Sequence, residues 1–274
     1  MARPEQHNVH VLGPAGARPM VFAHGYGCDQ NMWRLVVPRF TDRYRVVLFD
    51  HIGAGGSDLG AYDPQRYASL EGYAADVVEL CEALSLEDAI FVGHSVSAII
   101  GILAAAASPH LISSLVLVGP SPRYIDDDDY IGGFTRQDID ELLASLDSNY
   151  LGWSSAIAPV IMGRPDRPEL SQELEQSFCQ TDPDIARRFA HVTFLSDNRA
   201  DLARVEAPAL VLQCRNDVIA PVAVGEYVRD HMPNATMVLL DATGHCPHLS
   251  APVETADAID QFLESSVSVS HEQR

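Results

Sequence analysis

From residue 19 onward, short apolar runs alternate with longer segments in which apolar residues recur at a helical period. The strand-like runs are PMVFAHG (19–25), RVVLFD (45–50), AIFVGH (89–94), SSLVLVGP (113–120), PALVLQC (208–214) and ATMVLLD (235–241). Strands that are apolar on both faces and alternate with helices indicate a parallel sheet covered on both sides. Helices are predicted over NMWRLVVPRF (31–40), from about Ser69, and over SAIIGILAAAA (97–107), VAVGEYVRDHM (222–232) and TADAIDQFL (255–263). The helix after Ser69 shows the period best. Leu70, Tyr73, Val77, Leu80, Cys81 and Leu84 form its apolar stripe, which leaves Glu71, Asp76, Glu79 and Glu82 for solvent. The closing SVSVSHEQR (266–274) reads as a frayed tail.

Between Ser121 and about Arg199 the rhythm changes to helical segments alone: DIDELLASL (138–146), WSSAIAPVIM (153–162), ELSQELEQSF (169–178) and IARRFAHVTFL (185–195). Stop and cap signals separate them, namely Asn149, Gly163-Arg164-Pro165 and Asp182-Pro183. A helical insert (121–199) between two parts of one sheet domain (1–120 and 200–274) is expected to cap the sheet's C-terminal edge, where open α/β folds bind ligands. The acidic run Asp126 to Asp129 opens the insert and reads as a solvated helix lead-in.

Composition removes whole classes of function. A formal charge of −20 argues against nucleic acid and anionic membrane surfaces, which reward clustered positive charge. All 18 basic residues are arginine, so a lysine Schiff base, a pyridoxal phosphate lysine and a Walker A lysine are excluded. The N-terminus has no apolar signal region, and AIIGILAAAA (98–107) is too short to cross a bilayer. The five cysteines are scattered without a CxxC pair, which suggests neither a disulfide framework nor a metal site and fits a cytoplasmic protein.

The chemistry gathers at VGHSVS (92–97), which lies between a predicted strand and a predicted helix and nearly spells the G-x-S-x-G nucleophile elbow. The last glycine is Ser97, small enough for the turn. A serine hydroxyl is a poor nucleophile without a histidine base oriented by a carboxylate, and the order Ser, acid, His is met by Ser95, Asp217 and His245, the last two each at or just past a strand end. Asp201 and Asp241 compete less well for the acid, and His248 is the runner-up base. The oxyanion donors are expected to be the backbone N–H groups of Val96 and of Tyr26 in the HGYG loop (24–27). GAGGSD (53–58) lacks the third glycine and later acid of a dinucleotide fingerprint and reads as a structural turn, so no cofactor is expected.

With those residues in hand, the sequence resembles one branch of the α/β-hydrolase family, that of RsbQ-like bacterial stress regulators and plant strigolactone and karrikin receptors. HGYGCDQNMW (24–33), FDHIGAGGSD (49–58), GHSVSAIIG (93–101), GPSPRYIDDDDYIGGF (119–134), FLSDNRADL (194–202), LQCRNDVIAP (212–221) and GHCPHLSAP (244–252) carry the likeness. It implies an α/β-hydrolase fold, a mostly parallel central sheet flanked by helices, under a four-helix cap. It also implies an apolar pocket lined by Tyr26, His94, Tyr124, Phe134, Trp153, Ile157, Phe194 and Ile219. Tyr26 stands where relatives have phenylalanine, placing a hydroxyl at the pocket mouth, and Ile157 where the plant receptors carry an aromatic residue.

Two functions follow from the resemblance. One is a serine hydrolase of a small apolar ester or lactone, such as a butenolide, acting through an acyl-enzyme. The other is a ligand sensor whose slow hydrolysis changes the cap and engages a signalling protein, phosphatase-type in the RsbQ-like case. Lyase or haloperoxidase chemistry on the same triad stays open, because fold does not fix reaction.

Overall fold

The computed structural model describes residues 3–272, and the side chains of residues 3–265. Seven strands form one sheet: β1 (His10–Leu12), β2 (Pro19–Ala23), β3 (Arg45–Phe49), β4 (Ala89–His94), β5 (Ile112–Val118), β6 (Ala209–Asn216) and β7 (Ala235–Thr243). Their order is β1-β3-β2-β4-β5-β6-β7, and every pairing is parallel except that of β1 with β3. The helices are α1 (Leu70–Ala83), α2 (Val96–Ala107), α3 (Arg136–Ser148), α4 (Tyr150–Met162), α5 (Pro168–Gln180), α6 (Pro183–Leu195), α7 (Val222–His231), α8 (Pro247–Ser250) and α9 (Pro252–Glu272).

Strand side chains alternate between the two faces, and the core divides accordingly. Val21, Val47, Phe91, Leu115, Leu117 and Val211 face α1, α2 and α7, while Met20, Phe22, Val46, Ile90, Val92, Val116 and Leu210 face Trp33, Phe40 and α9. Both faces are thus dry, which is why β4 is buried along its whole length and reads as a continuous apolar run. A third apolar cluster joins α3 to α6 with Met32, Tyr124, Ile219 and Leu249 from the sheet domain.

Several local expectations are corrected. NMWRLVVPRF is not an α-helix: it forms two 3-10 turns, Gln30–Trp33 and Val37–Arg39, with Pro38 withholding an N–H. Asp76 is buried rather than solvated, because Arg66 and Tyr67, just before the helix, fold back onto it with contacts of 2.6 and 2.8 Å. The acidic run is exposed but forms a turn instead of a helix lead-in. Asp126 accepts the N–H groups of Gly132 and Gly133, Asp127 pairs with Arg199 at 2.9 Å, and α3 begins only after the Thr135–Asp138 capping box. The supposed tail continues α9 as far as Glu272. Among the described residues, no helix is long and apolar enough to cross a membrane.

Candidate active site

Ser95 sits between β4 and α2 with φ 57° and ψ −123°, a conformation that costs a non-glycine residue roughly 1–3 kcal/mol and persists only where its surroundings impose it. They do so closely. Its N–H donates to Val118 O at 2.8 Å, and a side chain at Gly93 would collide with the backbone carbonyl of Ser97. The Ser95 hydroxyl does not cap α2; it lies 2.8 Å from His245 Nε2.

His245 follows Gly244, whose φ of 92° turns the chain so tightly that a side chain there would strike the carbonyl of Met162 at the end of α4. The His245 N–H donates to Ile161 O at 2.8 Å, so the histidine is fixed to the helical insert as well as to β7. Its Nδ1 is 2.7 Å from Asp217 Oδ2. The other oxygen of Asp217 accepts the N–H groups of Ile219 and Ala220 at 2.8 and 3.1 Å, which aims the carboxylate. An acceptor beside Nδ1 places the ring proton there and leaves Nε2 free to accept from Ser95. Ser95, Asp217 and His245 are all buried.

The competing residues lie elsewhere. Asp201 accepts from Asn198 and Arg204, and Asp241 pairs with Arg215 at 3.3 Å. His248 is fully buried, its ring 4.7 Å from Trp33 and 4.4 Å from His94, and burial pushes its pKa down to about 3.

Ser97 answers for the missing glycine. Its hydroxyl donates to His24 O at 2.5 Å and accepts from His51 Nε2 at 2.7 Å. The His51 N–H donates to His24 Nε2 at 3.1 Å, so His24 Nδ1 carries the proton it gives to Gly25 O at 2.9 Å. The elbow is therefore tied through two histidines to the HGYG loop. That loop packs directly on the elbow, since a Cβ on Gly25 would come within 3.3 Å of Ser95 Cβ.

Burial holds His51 well below the usual imidazole range, with the neighbouring His24 adding to the effect. Unfolding raises its pKa to about 6.5, so below that pH the unfolded chain takes up a proton that the folded one refuses. The stability that depends on neutral His51 is complete above pH 6.5 and is lost toward acid at about 1.4 kcal/mol per pH unit. Urea midpoints between pH 7.5 and 5.5 are expected to fall less steeply in His51→Gln than in wild type; equal slopes would assign the acid sensitivity elsewhere.

Side chains within and beside the GAGGSD segment take up its N–H groups: Ser57 Oγ accepts from Gly53 and Ala54, while Asp50 accepts from Gly56 as well as from Gln30 and Asn8.

Ser95 and His245 open on a narrow cavity of about 40 Å³. Tyr26, His94, Tyr124, Trp153, Ile157, Phe194 and Ile219 line it as expected from the sequence, and Trp153 and Phe194 also belong to the third apolar cluster. Phe134 does not line it. It bridges to Ile125 and packs against that cluster from outside. The Tyr26 hydroxyl is not at a pocket mouth either: it donates to Ala186 O on α6 at 3.1 Å, while the ring meets Trp153, Phe178, Phe189 and Phe194. Burial pushes the Tyr124 phenol up to about 12, with the Ser95 hydroxyl as the hydrogen-bonding neighbour that opposes it. Cys28, Leu142, Ile161, Leu174, Phe178, Thr193 and Cys246 complete the wall and were not anticipated. Leu170, Leu174 and Phe178 recur every fourth residue along α5, so their helix face was legible although its destination was not.

A β4–Ser95–α2 elbow with a histidine and an aspartate on two later strand ends defines a class of protein. The chain belongs to the alpha/beta hydrolase family, which it matches over residues 20–258. It is 41% identical over 249 residues to "Karrikin insensitive 2 receptor CA" of Petunia hybrida, covering 90% of this chain and 92% of that one. It is 39% identical over 264 residues to "Strigolactone esterase D14" of Arabidopsis thaliana, covering 96% and 97%. A solved hydrolase from Oleispira antarctica superposes with a TM-score of 0.91 at 41% identity, covering 95% of this chain and 96% of that one.

Proposed function

We propose that the chain hydrolyses a small apolar ester or lactone through an acyl-enzyme on Ser95. The observation that carries this reading is the continuous run Ser95 Oγ to His245 Nε2 at 2.8 Å and His245 Nδ1 to Asp217 Oδ2 at 2.7 Å, with Ser95 held at positive φ. His245 takes the Ser95 proton as Oγ attacks the carbonyl carbon, and Asp217 stabilises the imidazolium that forms. The developing oxyanion is met by the N–H of Val96, in the first turn of α2 where helical N–H groups lack internal acceptors, and by the N–H of Tyr26. The imidazolium then protonates the leaving alkoxide; in a lactone this alcohol stays on the acyl chain. Water, deprotonated by His245, attacks the ester, and Ser95 Oγ leaves with the proton.

The wall selects an uncharged, compact substrate, since most of its side chains are aliphatic or aromatic and the protein carries a formal charge of −20. Turnover of a nitrophenyl acetate and of a fluorogenic butenolide tests the reading, with hydrolysis of at least one expected. Failure with both substrates would remove its support.

Ser97 positions the oxyanion loop without touching substrate. Ser97→Ala is expected to lower kcat roughly 10- to 100-fold with KM changed by less than about twofold, because a displaced donor is felt chiefly in the transition state. A change confined to KM would assign Ser97 to substrate binding instead.

A second reading is favoured by the small cavity. A volume of about 40 Å³ is tight for an ester, and a shift of α3 to α6 as ligand enters would widen it. Such a movement alters the outer face of the cap, which suits a ligand sensor that presents a changed surface to a signalling protein. Turnover much slower than one per second, together with a ligand-dependent change in hydrogen exchange over 136–195, separates the sensor from a metabolic hydrolase, for which about ten per second is typical.

A further inference from the structure

Beside His245, whose ring His94 packs against, three side chains bring ligating atoms close together. His94 comes from the end of β4, Cys246 caps the start of α8, and His248 lies within it. One ligand atom of each lies within 4.8 Å of the other two, and all three residues are at most 3% exposed. The imidazoles are underused. His94 Nε2 donates to His245 O at 2.8 Å, which leaves Nδ1 without a partner, and neither nitrogen of His248 has one. Buried polar atoms left unpaired are costly, so unpartnered imidazoles beside one thiol point to an occupant.

The donor set limits what that occupant is. Two imidazoles and one thiolate, with no carboxylate among them, favour a soft cation. All three side chains are buried, and a buried net charge is costly. One thiolate neutralises a monovalent ion fully but leaves a divalent ion with surplus charge. Three protein donors also fall short of the four that zinc takes in its structural sites. We propose that Cys246 Sγ and one ring nitrogen from each of His94 and His248 form a binding site for copper(I). The ion arrives as copper(I) and stays so; the Sγ–copper bond forms as the Cys246 thiol releases its proton to solvent. With metal–ligand bonds of about 2.0–2.3 Å, the three atoms draw together by about 1 Å, within reach of side-chain rotation.

Occupancy has a consequence for the neighbouring pocket. His94 and Cys246 both line the cavity, and His94 holds the carbonyl of His245, so bound copper stiffens that wall. The site goes beyond the hydrolytic reading and does not depend on it.

Anaerobic titration with copper(I) in competition with a chromophoric chelator tests the site on the full chain. Wild type and Cys179→Ser, which removes the exposed cysteine, are each expected to take one copper per chain. Cys246→Ala and His248→Phe are expected to lose at least about 100-fold in affinity, with circular dichroism melts confirming that both variants fold. X-ray absorption on copper-loaded wild type needs no variant, and one sulfur with two nitrogen neighbours is expected. The proposal is overturned if wild type does not compete for copper, or if binding vanishes in Cys179→Ser. A shell with two sulfurs overturns it as well, moving the metal to Cys246 and the nearby Cys28.

Discussion

Ser95→Ala is expected to abolish hydrolysis, with kcat lower by roughly 10⁴- to 10⁶-fold, the scale seen when the nucleophile of a Ser-His-Asp system is removed. The loss is chemical rather than structural. The side chain makes no cap contact with α2, and alanine at φ 57° suffers the same backbone strain as serine, so the thermal midpoint is expected to stay within a few degrees. Initial rates on nitrophenyl acetate, measured beside a melting curve, check both halves. A variant that keeps more than about a tenth of wild-type activity would take the nucleophile's role away from Ser95.

Asp217→Asn is expected to lower kcat by about 10⁴-fold while leaving the site assembled. The amide oxygen can keep the N–H groups of Ile219 and Ala220, which now hold Oδ1. The amide NH₂ then faces His245 Nδ1, whose proton must move to Nε2, and Nε2 can no longer accept from Ser95. The expected signature is a kcat loss with little change in KM, and partial recovery at high pH, where serine ionisation relieves the need for a base. Equal losses in Asp217→Asn and Asp241→Asn would point to a general charge effect and not to the contact with His245.

The sequence carried much of this arrangement because chain order and strand ends are local signals. Ser95 follows the buried run of β4, Asp217 closely follows β6, and His245 follows the tight Gly244 turn after β7; each can be read from a handful of neighbours. The four helices of the insert announced themselves through Asn149, Gly163 and Asp182, which cap helix ends as expected: Asn149 between α3 and α4, Gly163 at the end of α4 and Asp182 at the start of α6. What stayed hidden depends on partners distant in sequence. β1 is three exposed residues with no apolar pattern, and it exists because β3 offers it an edge. The Tyr26 hydroxyl finds Ala186, 160 residues away, and so leaves the pocket mouth. Asp76 obeys the solvent face of its helix in sequence, yet the preceding turn folds Arg66 over it. Ser97 looked like a tolerated departure from glycine; its two bonds to His24 and His51 lie across the sheet edge, where no local pattern reaches.

Covalent capture on Ser95 is the most direct test of the catalytic assignment. Wild type is mixed with a slowly hydrolysed lactone, quenched within the first turnover, and analysed as intact protein and as mapped peptides. The expected result is a transient mass increase equal to the acyl group, located on Ser95 and decaying as product appears. Product release with no change in protein mass at any time, or an adduct found only on Cys28, Cys179 or His245, would contradict it.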